Sequence, residues 1–380
     1  MSDPRSSLGA SEPLVPPLYQ SSVYTLPDLD ALDRIMNAEE PGFIYARDAH
    51  PNGRRLAACL APLESAEWAL VTSSGMSALS AIFLATLSPG QRVVASTRLY
   101  GRTTQLLSQE LARYGVKTDY VDTNDLSAME ASLRTPARLV LVETVSNPLL
   151  RVADIPALAK LSHAAGARLV VDNTFATPVL TRPLEMGADL VMESLTKMIG
   201  GHSDVTLGLV AGRDDLLPEL TQVASIWGLS ANPFDCWLAE RGVATLELRM
   251  HAATCNAAAL ADWLVEQPGV AKVHYPGLAD HPDHALAGTI MGGTYANMVC
   301  FDLAGGREAV NRFFRQQSGV PFSPSLGNTT TTCSHPATTS HRHTSPAEKA
   351  RQGITDGLVR MSVGIEPVEA TKGEMAKGLR

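Results

Sequence analysis

The chain has 380 residues, 45% of them hydrophobic and 18% charged, and a formal net charge of −8 at pH 7. That length exceeds what one growing core fills, so two packed units are expected; an acidic chain with no long Lys/Arg block argues against nucleic acid or an acidic membrane surface as the main partner and leaves small molecules. No apolar run approaches the roughly 20 residues that cross a bilayer, and five widely spaced cysteines, Cys59, Cys236, Cys255, Cys300 and Cys333, without a CxxC pair suit reduced thiols in a cytoplasmic protein and build no zinc site.

The first twenty residues are polar and rich in Ser and Pro, which reads as neither a signal nor a transit peptide. Residues 1–50 carry no core pattern and are expected to form either an arm reaching a neighbouring subunit or a frayed terminus. From about Ala69 to Gly212, β-rich runs alternate with amphipathic helical stretches, the pattern of a mostly parallel sheet covered by helices. The strands are expected at Trp68–Thr72, Arg92–Ser96, Lys117–Val121, Arg138–Glu143, Arg168–Asp172, Asp189–Met192 and Val205–Ala211, and Met76, Leu79, Ile82, Phe83 and Leu87 fall at helical spacing. Cys236–Val265 reads as one or two helices bridging to a smaller α/β unit, with strands at Met298–Leu303 and Leu358–Gly364 and a Thr-rich segment, Asn328–Thr332, between them. The expected division is an arm over 1–50, a cofactor-binding unit over 51–235 and a smaller unit over 236–380.

Ligands of open α/β sheets collect at the carboxyl ends of the strands. Ser73-Ser74-Gly75, Glu143 to Asn147, Asp172 and Ser194 to Lys197 all lie at such ends. Lys197 follows a strand and is flanked by Ser194, Thr196, Gly200 and Gly201, while Asp172 closes the strand before it. A lysine able to form a Schiff base with pyridoxal 5'-phosphate, with a carboxylate for the ring nitrogen, is the minimal set for that cofactor's chemistry. The backbone N–H groups of Gly75 and Met76 open a helix, where a phosphate is favoured. Taken alone, Ser-Gly before a helix is common capping sequence and a strand-end Asp is usually a turn or cap; the two motifs gain weight together. His335, His341 and His343 cluster without a carboxylate or cysteine partner, so no metal site is expected.

From Val15-Pro16-Pro17-Leu18-Tyr19-Gln20, through Ser194-Leu195-Thr196-Lys197 and Gly200-Gly201-His202-Ser203-Asp204, to Arg360-Met361-Ser362-Val363-Gly364, the chain resembles the Cys/Met-metabolism family of pyridoxal-phosphate enzymes. The resemblance implies a fold-type-I, aspartate-aminotransferase-like architecture and a homotetramer assembled from two catalytic dimers. It implies that Lys197 carries the cofactor and later shuttles protons, that Tyr100 stacks on the ring and assists the leaving group, and that Asn147 bonds the phenolic oxygen. It further implies that Tyr45 and Arg47 reach the phosphate from the partner subunit, that Ser194 and Thr196 donate to it, and that Arg360, helped by Ser325 and Tyr45, holds the substrate carboxylate.

Three positions depart from the family's usual pattern. Arg102 stands where a small residue is common, Gln105 where some γ-lyases carry arginine, and Asn328-Thr329-Thr330 where many members carry a glutamate. Arg102 and Thr330 are therefore expected to set the preference for the distal end of the substrate. The expected activity is γ-elimination or γ-replacement on a small sulfur-pathway amino acid, of the cystathionine γ-synthase or γ-lyase type. The alternatives are a cystathionine β-lyase, a methionine γ-lyase, a homoserine sulfhydrylase and, in another class, a non-catalytic cofactor-binding regulatory protein.

Overall fold

The computed structural model describes residues 12–316 and 319–379; the first eleven residues of the expected arm lie outside them. Seven strands, β1 (Trp68–Thr72), β2 (Arg92–Ser96), β3 (Lys117–Val121), β4 (Leu139–Glu143), β5 (Arg168–Asp172), β6 (Leu190–Glu193) and β7 (Gly208–Gly212), form one sheet in the order β1-β7-β6-β5-β4-β2-β3. β3, β2, β4, β5 and β6 run parallel, and β7 is antiparallel to both β6 and β1. The central strands are covered on both faces, which is why they read as nearly unbroken apolar runs. Alternate side chains face opposite ways. Val140, Val142, Leu169, Val171 and Val191 enter one core, and Leu139, Leu141, Val170, Leu190 and Val210 the other.

The expected strand Val205–Ala211 begins later, at Gly208. Before it, the main chain of Leu207 is taken up by the Thr196 hydroxyl, which accepts from Leu207 N at 3.1 Å and donates to Leu207 O at 3.2 Å, so sheet pairing cannot start there. Cys236–Val265 resolves into two helices, Pro233–Val243 and Leu246–Val265.

A second, four-stranded sheet, β8 (Val270–His274), β9 (Met298–Leu303), β10 (Thr332–Ser334) and β11 (Leu358–Ser362), is antiparallel in the order β10-β11-β9-β8. Its helix-covered face buries Val299, Phe301, Val359 and Met361 against Leu260, Leu264 and Phe313. The other face, with Met298, Cys300 and Leu358, joins the core of the large sheet. Arg360 shares the parity of Leu358, so the same alternation that builds the small core turns Arg360 toward the large sheet. β11 ends at Ser362 rather than Gly364, because Val363 N is bound to Asn297 O and Gly364 N to the Thr331 hydroxyl.

Of residues 12–49, only Ala31 is buried. No helix among the described residues is long and apolar enough to cross a membrane.

Candidate active site

After β6, the chain makes a tight turn: Lys197 N donates to Ser194 O at 3.0 Å, and Gly201 N donates to Lys197 O at 2.8 Å. Gly201, at φ +74°, lies so close to the Arg249 guanidinium that a Cβ would overlap it. Arg249 in turn donates to Met198 O at 2.6 Å, Ile199 O at 3.0 Å and Gly242 O at 2.7 Å, tying the carbonyls of the turn to the helices behind it. The turn is thereby fixed, and Lys197 is carried into a cavity of about 1350 Å³. Among the described residues its Nζ has one partner, the Ser325 hydroxyl at 3.3 Å, and no carboxylate. Burial, with a smaller contribution from Arg360, lowers its pKa to about 8, so about a tenth is the free amine at pH 7.

Two carboxyls close the strands beside it, Glu143 on β4 opposite Asp172 on β5 in the parallel register. Asp172 lines the cavity and accepts from Thr174 N at 3.0 Å. Burial holds the Asp172 pKa above the ordinary carboxylate range, the direction expected of an enclosed carboxyl lacking a cation. Glu143 is pushed up more strongly, by burial and then by the charge of Asp172. It accepts from Tyr100 N at 2.5 Å and Asn147 N at 3.2 Å, and so seats two other residues of the cavity. Arg360 reaches across from β11 to donate to Asn147 Oδ1 at 2.9 Å and Ser325 O at 3.3 Å, while its Nε is buried without a partner.

At the opposite wall Ser74 caps the helix Gly75–Thr86 by accepting from Ser77 N at 3.0 Å. A Cβ on Gly75 would stand 3.0 Å from Ser194 Cβ, so glycine leaves a cradle between the helix start and Ser194. Pyridoxal 5'-phosphate fits this donor set. A free amine without an acidic partner, an enclosed carboxyl without a cation and a glycine-lined helix N-terminus are what its aldehyde, ring nitrogen and phosphate require.

Lys197, Tyr100, Gly75, Met76, Asn147, Asp172, Ser194, Thr196, Arg360 and Arg102 all line this cavity, and Ser325 touches Lys197 from its edge. Three expected residues are not brought to it by their own chain. Tyr45 and Arg47 are exposed, with the Arg47 guanidinium 5.2 Å from the centre of the Tyr45 ring. Thr330 is exposed and outside the lining, because its neighbours are held elsewhere: Thr329 N is bound to Gly201 O at 3.0 Å and Thr331 N to Glu366 Oε1 at 2.7 Å. Thr196 reaches the cavity, but its hydroxyl hydrogen is already given to Leu207 O, leaving Ser194 the uncommitted hydroxyl of the two.

The sequence reading assigned no role to Glu143, Thr174, His341 or Arg342. Glu143 had a visible signal, a carboxylate closing a strand just as Asp172 does. His341 had only its place near His335; it lines the cavity, and burial lowers its pKa to about 4. The described residues contain no grouping of three or more His, Cys, Asp or Glu that could hold a metal ion.

The profile of the Cys/Met metabolism PLP-dependent enzyme family matches residues 4–380. The chain belongs to this family. It is 43% identical to an O-succinylhomoserine sulfhydrylase of Pseudomonas aeruginosa over 90% of this chain and 84% of that one. It is 38% identical to an L-methionine gamma-lyase of Pseudomonas putida over 100% of this chain and 94% of that one. A crystal structure of cystathionine gamma synthase from Xanthomonas oryzae pv. oryzae superposes with a TM-score of 0.91 at 35% identity, covering 96% of this chain and 92% of that one. The chain is thus a pyridoxal-phosphate enzyme of the γ-elimination and γ-replacement group, acting on a small amino acid, with the fold of the transsulfuration enzymes.

Proposed function

We propose that this enzyme carries out γ-replacement on a homoserine acylated by a dicarboxylic acid, O-succinylhomoserine being the type, with a sulfide or thiol as nucleophile. The supporting observation is the mouth of the cavity. Arg102, bonded only to the neutral Gln105 Oε1 at 2.7 Å, and Arg342 line it, and neither has a carboxylate partner among the described residues. Two unpaired guanidiniums suit an anionic distal group and repel an ammonium, so cystathionine, whose distal end carries one, is the poorer substrate. The amino-acid end is held at the floor, where the buried Arg360 offers the α-carboxylate a planar, bidentate donor.

When bound, the cofactor would supply an electron sink for the substrate's Cα. Lys197 would take the Cα proton, and its lowered pKa suits a base working near neutral pH. Asp172 would hold a proton on the ring nitrogen. Asn147, itself fixed by Glu143 and Arg360, would hold the phenolic oxygen. Gly75, Met76, Ser194 and Thr196 would hold the phosphate. Tyr100, on the cavity wall, would hold the ring and deliver a proton to the departing oxygen.

The remaining donors come from a second subunit: Tyr45 and Arg47, exposed in their own chain, reach the partner's phosphate and substrate, and two such dimers make a tetramer. With all five cysteines free, this is a cytoplasmic enzyme.

The experiment compares kcat/KM for O-succinylhomoserine, O-acetylhomoserine and cystathionine, with sulfide or cysteine as acceptor, in wild type and Arg342→Gln. Wild type is expected to favour the succinyl ester. Arg342→Gln should lower that value roughly ten- to a hundredfold and the acetyl value less than about threefold. A wild type that prefers cystathionine, or an Arg342→Gln that treats both esters alike, overturns the proposal.

A further inference from the structure

Behind the cavity, out of contact with it, two carboxyls meet inside the protein. Glu64 follows the helix Pro51–Leu63 and Glu193 ends β6; both side chains are fully buried and lie within hydrogen-bonding reach of each other. Neither lines the cavity. Neither has an ion-pair partner among the described residues. The charged groups whose fields reach the pair are Arg182, which favours an ionised Glu64, and Asp172, which disfavours an ionised Glu193. Arg182 is itself engaged with Glu185 at 3.5 Å, and on the helix Pro233–Val243, which packs against the helix Pro51–Leu63, Glu240 is taken by Arg55 at 2.6 Å.

Two enclosed carboxylates cannot both be ionised at this separation without a large penalty, and a proton between them removes it. That proton would satisfy Glu193 Oε2 and an oxygen of Glu64, which otherwise have no donor. The other oxygen, Glu193 Oε1, accepts from Asn173 Nδ2 at 3.2 Å. Asn173 is the residue directly after Asp172 and is completely buried. Its side chain also donates to Thr181 O at 3.1 Å and accepts from the Thr144 hydroxyl at 2.8 Å, while Thr144 N donates to Asp172 O at 3.0 Å. The carboxyl ends of β4, β5 and β6 are therefore joined through Asn173, and Glu193 is the end of that chain.

We propose that Glu193 donates a proton to Glu64, and that this neutralised pair is a positioning device which, through Asn173, sets the main chain carrying Asp172 under the cofactor. Both groups are shifted upward by burial, Glu64 to about 7 and Glu193 further. A carboxyl whose folded pKa is raised gives stability that is complete below its unfolded pKa and is lost as pH rises through the folded one. The loss therefore begins near the ordinary glutamate value of about 4.5 and continues through pH 7. The inference rests on Asp172 serving the ring nitrogen for its cofactor arm only; the stability arm stands without it.

The test uses Glu193→Gln, Glu64→Gln/Glu193→Gln and Glu193→Ala, with Leu264→Ala, in the distant small core, as a control for loss of packing. In cofactor-free protein, the Tm of wild type should fall relative to that of the double glutamine variant as pH rises from about 5 through 7, by about 2 °C per pH unit. Glutamine keeps a donor in place, so Glu193→Gln should bind pyridoxal phosphate within about threefold of wild type. Glu193→Ala should weaken binding on the order of tenfold, and Leu264→Ala should not. Infrared spectra of wild type should show a protonated-carboxyl band at pH 7 that the double variant reduces. Parallel Tm curves, or a Glu193→Ala that binds cofactor as wild type does, overturn the proposal. Should the glutamine variants not fold, Glu193→Ala takes their place: a carboxyl band weaker than that of wild type supports the proposal and an unchanged band overturns it.

Discussion

At the floor of the cavity, Glu143, Asn147 and Arg360 are buried and joined through Asn147, whereas at the mouth Arg102 and Arg342 stand exposed on segments with few fixed partners. Floor residues inherit their positions from the register of a sheet, so a change there disturbs several contacts at once. Mouth residues depend on local loop geometry and can be altered one at a time. Such a division lets the cofactor chemistry stay constant while the preference for the distal group changes.

The sharpest way to break this comparison is at Lys197. Lys197→Ala is expected to fold and to lose activity by at least about a thousandfold. Borohydride treatment followed by denaturation should leave no cofactor on the mutant chain; label retained at the wild-type level would move the reactive lysine elsewhere. Asp172→Asn keeps the shape but removes the charge that holds a proton on the ring, and kcat should fall on the order of a hundredfold with a smaller change in KM.

A subtler effect follows from the Lys197 pKa of about 8. Only the free amine attacks the aldehyde, so the rate of cofactor rebinding to cofactor-free enzyme should rise about tenfold per pH unit below pH 8 and level off above it. Stopped-flow absorbance measures this, and a flat profile between pH 6 and 8 would remove the floor from the argument. The smallest effect belongs to Thr330. Because Thr330 lies outside the cavity, Thr330→Glu should change the ratio of kcat/KM for succinyl ester and cystathionine by less than about threefold. A larger shift would mean that a partner subunit brings this position to the substrate.

The floor was readable from sequence because its signals are periodic: an apolar run ending in a carboxylate, as at Leu169–Asp172, implies a buried parallel strand with its polar end at the site. The same logic located Lys197, whereas Arg360 and Asn147 came from the family resemblance. The pairs that meet across long sequence separations were not readable. Nothing near Glu64 announces Glu193, and nothing near Gly327 announces Lys197, since these contacts are created by tertiary packing. β8 and β10 escaped for another reason. Val270–His274 is partly exposed with an irregular register, and β10 is three residues within a Thr-rich stretch, too short for any period to emerge. Thr330 lies outside the cavity of its own chain, because a family pattern fixes a residue's neighbours along the chain and not the direction in which a loop leaves the sheet.

Gly327, at φ +83°, lies so close to the Lys197–Met198 peptide that a Cβ would come within 2.6 Å of its carbon and nitrogen. Ser325, whose carbonyl receives Arg360, is two residues away. The loop that helps seat the proposed carboxylate clamp therefore rests directly on the backbone of the proposed base. On those roles the consequence is a ruler: with the carboxylate anchored at one end and Cα presented to Lys197, the number of carbons between Cα and the leaving group would decide whether that group ends in the cavity or at its cationic mouth. A larger residue at 327 would lengthen the ruler, and the enzyme would misjudge chain length before it lost its cofactor.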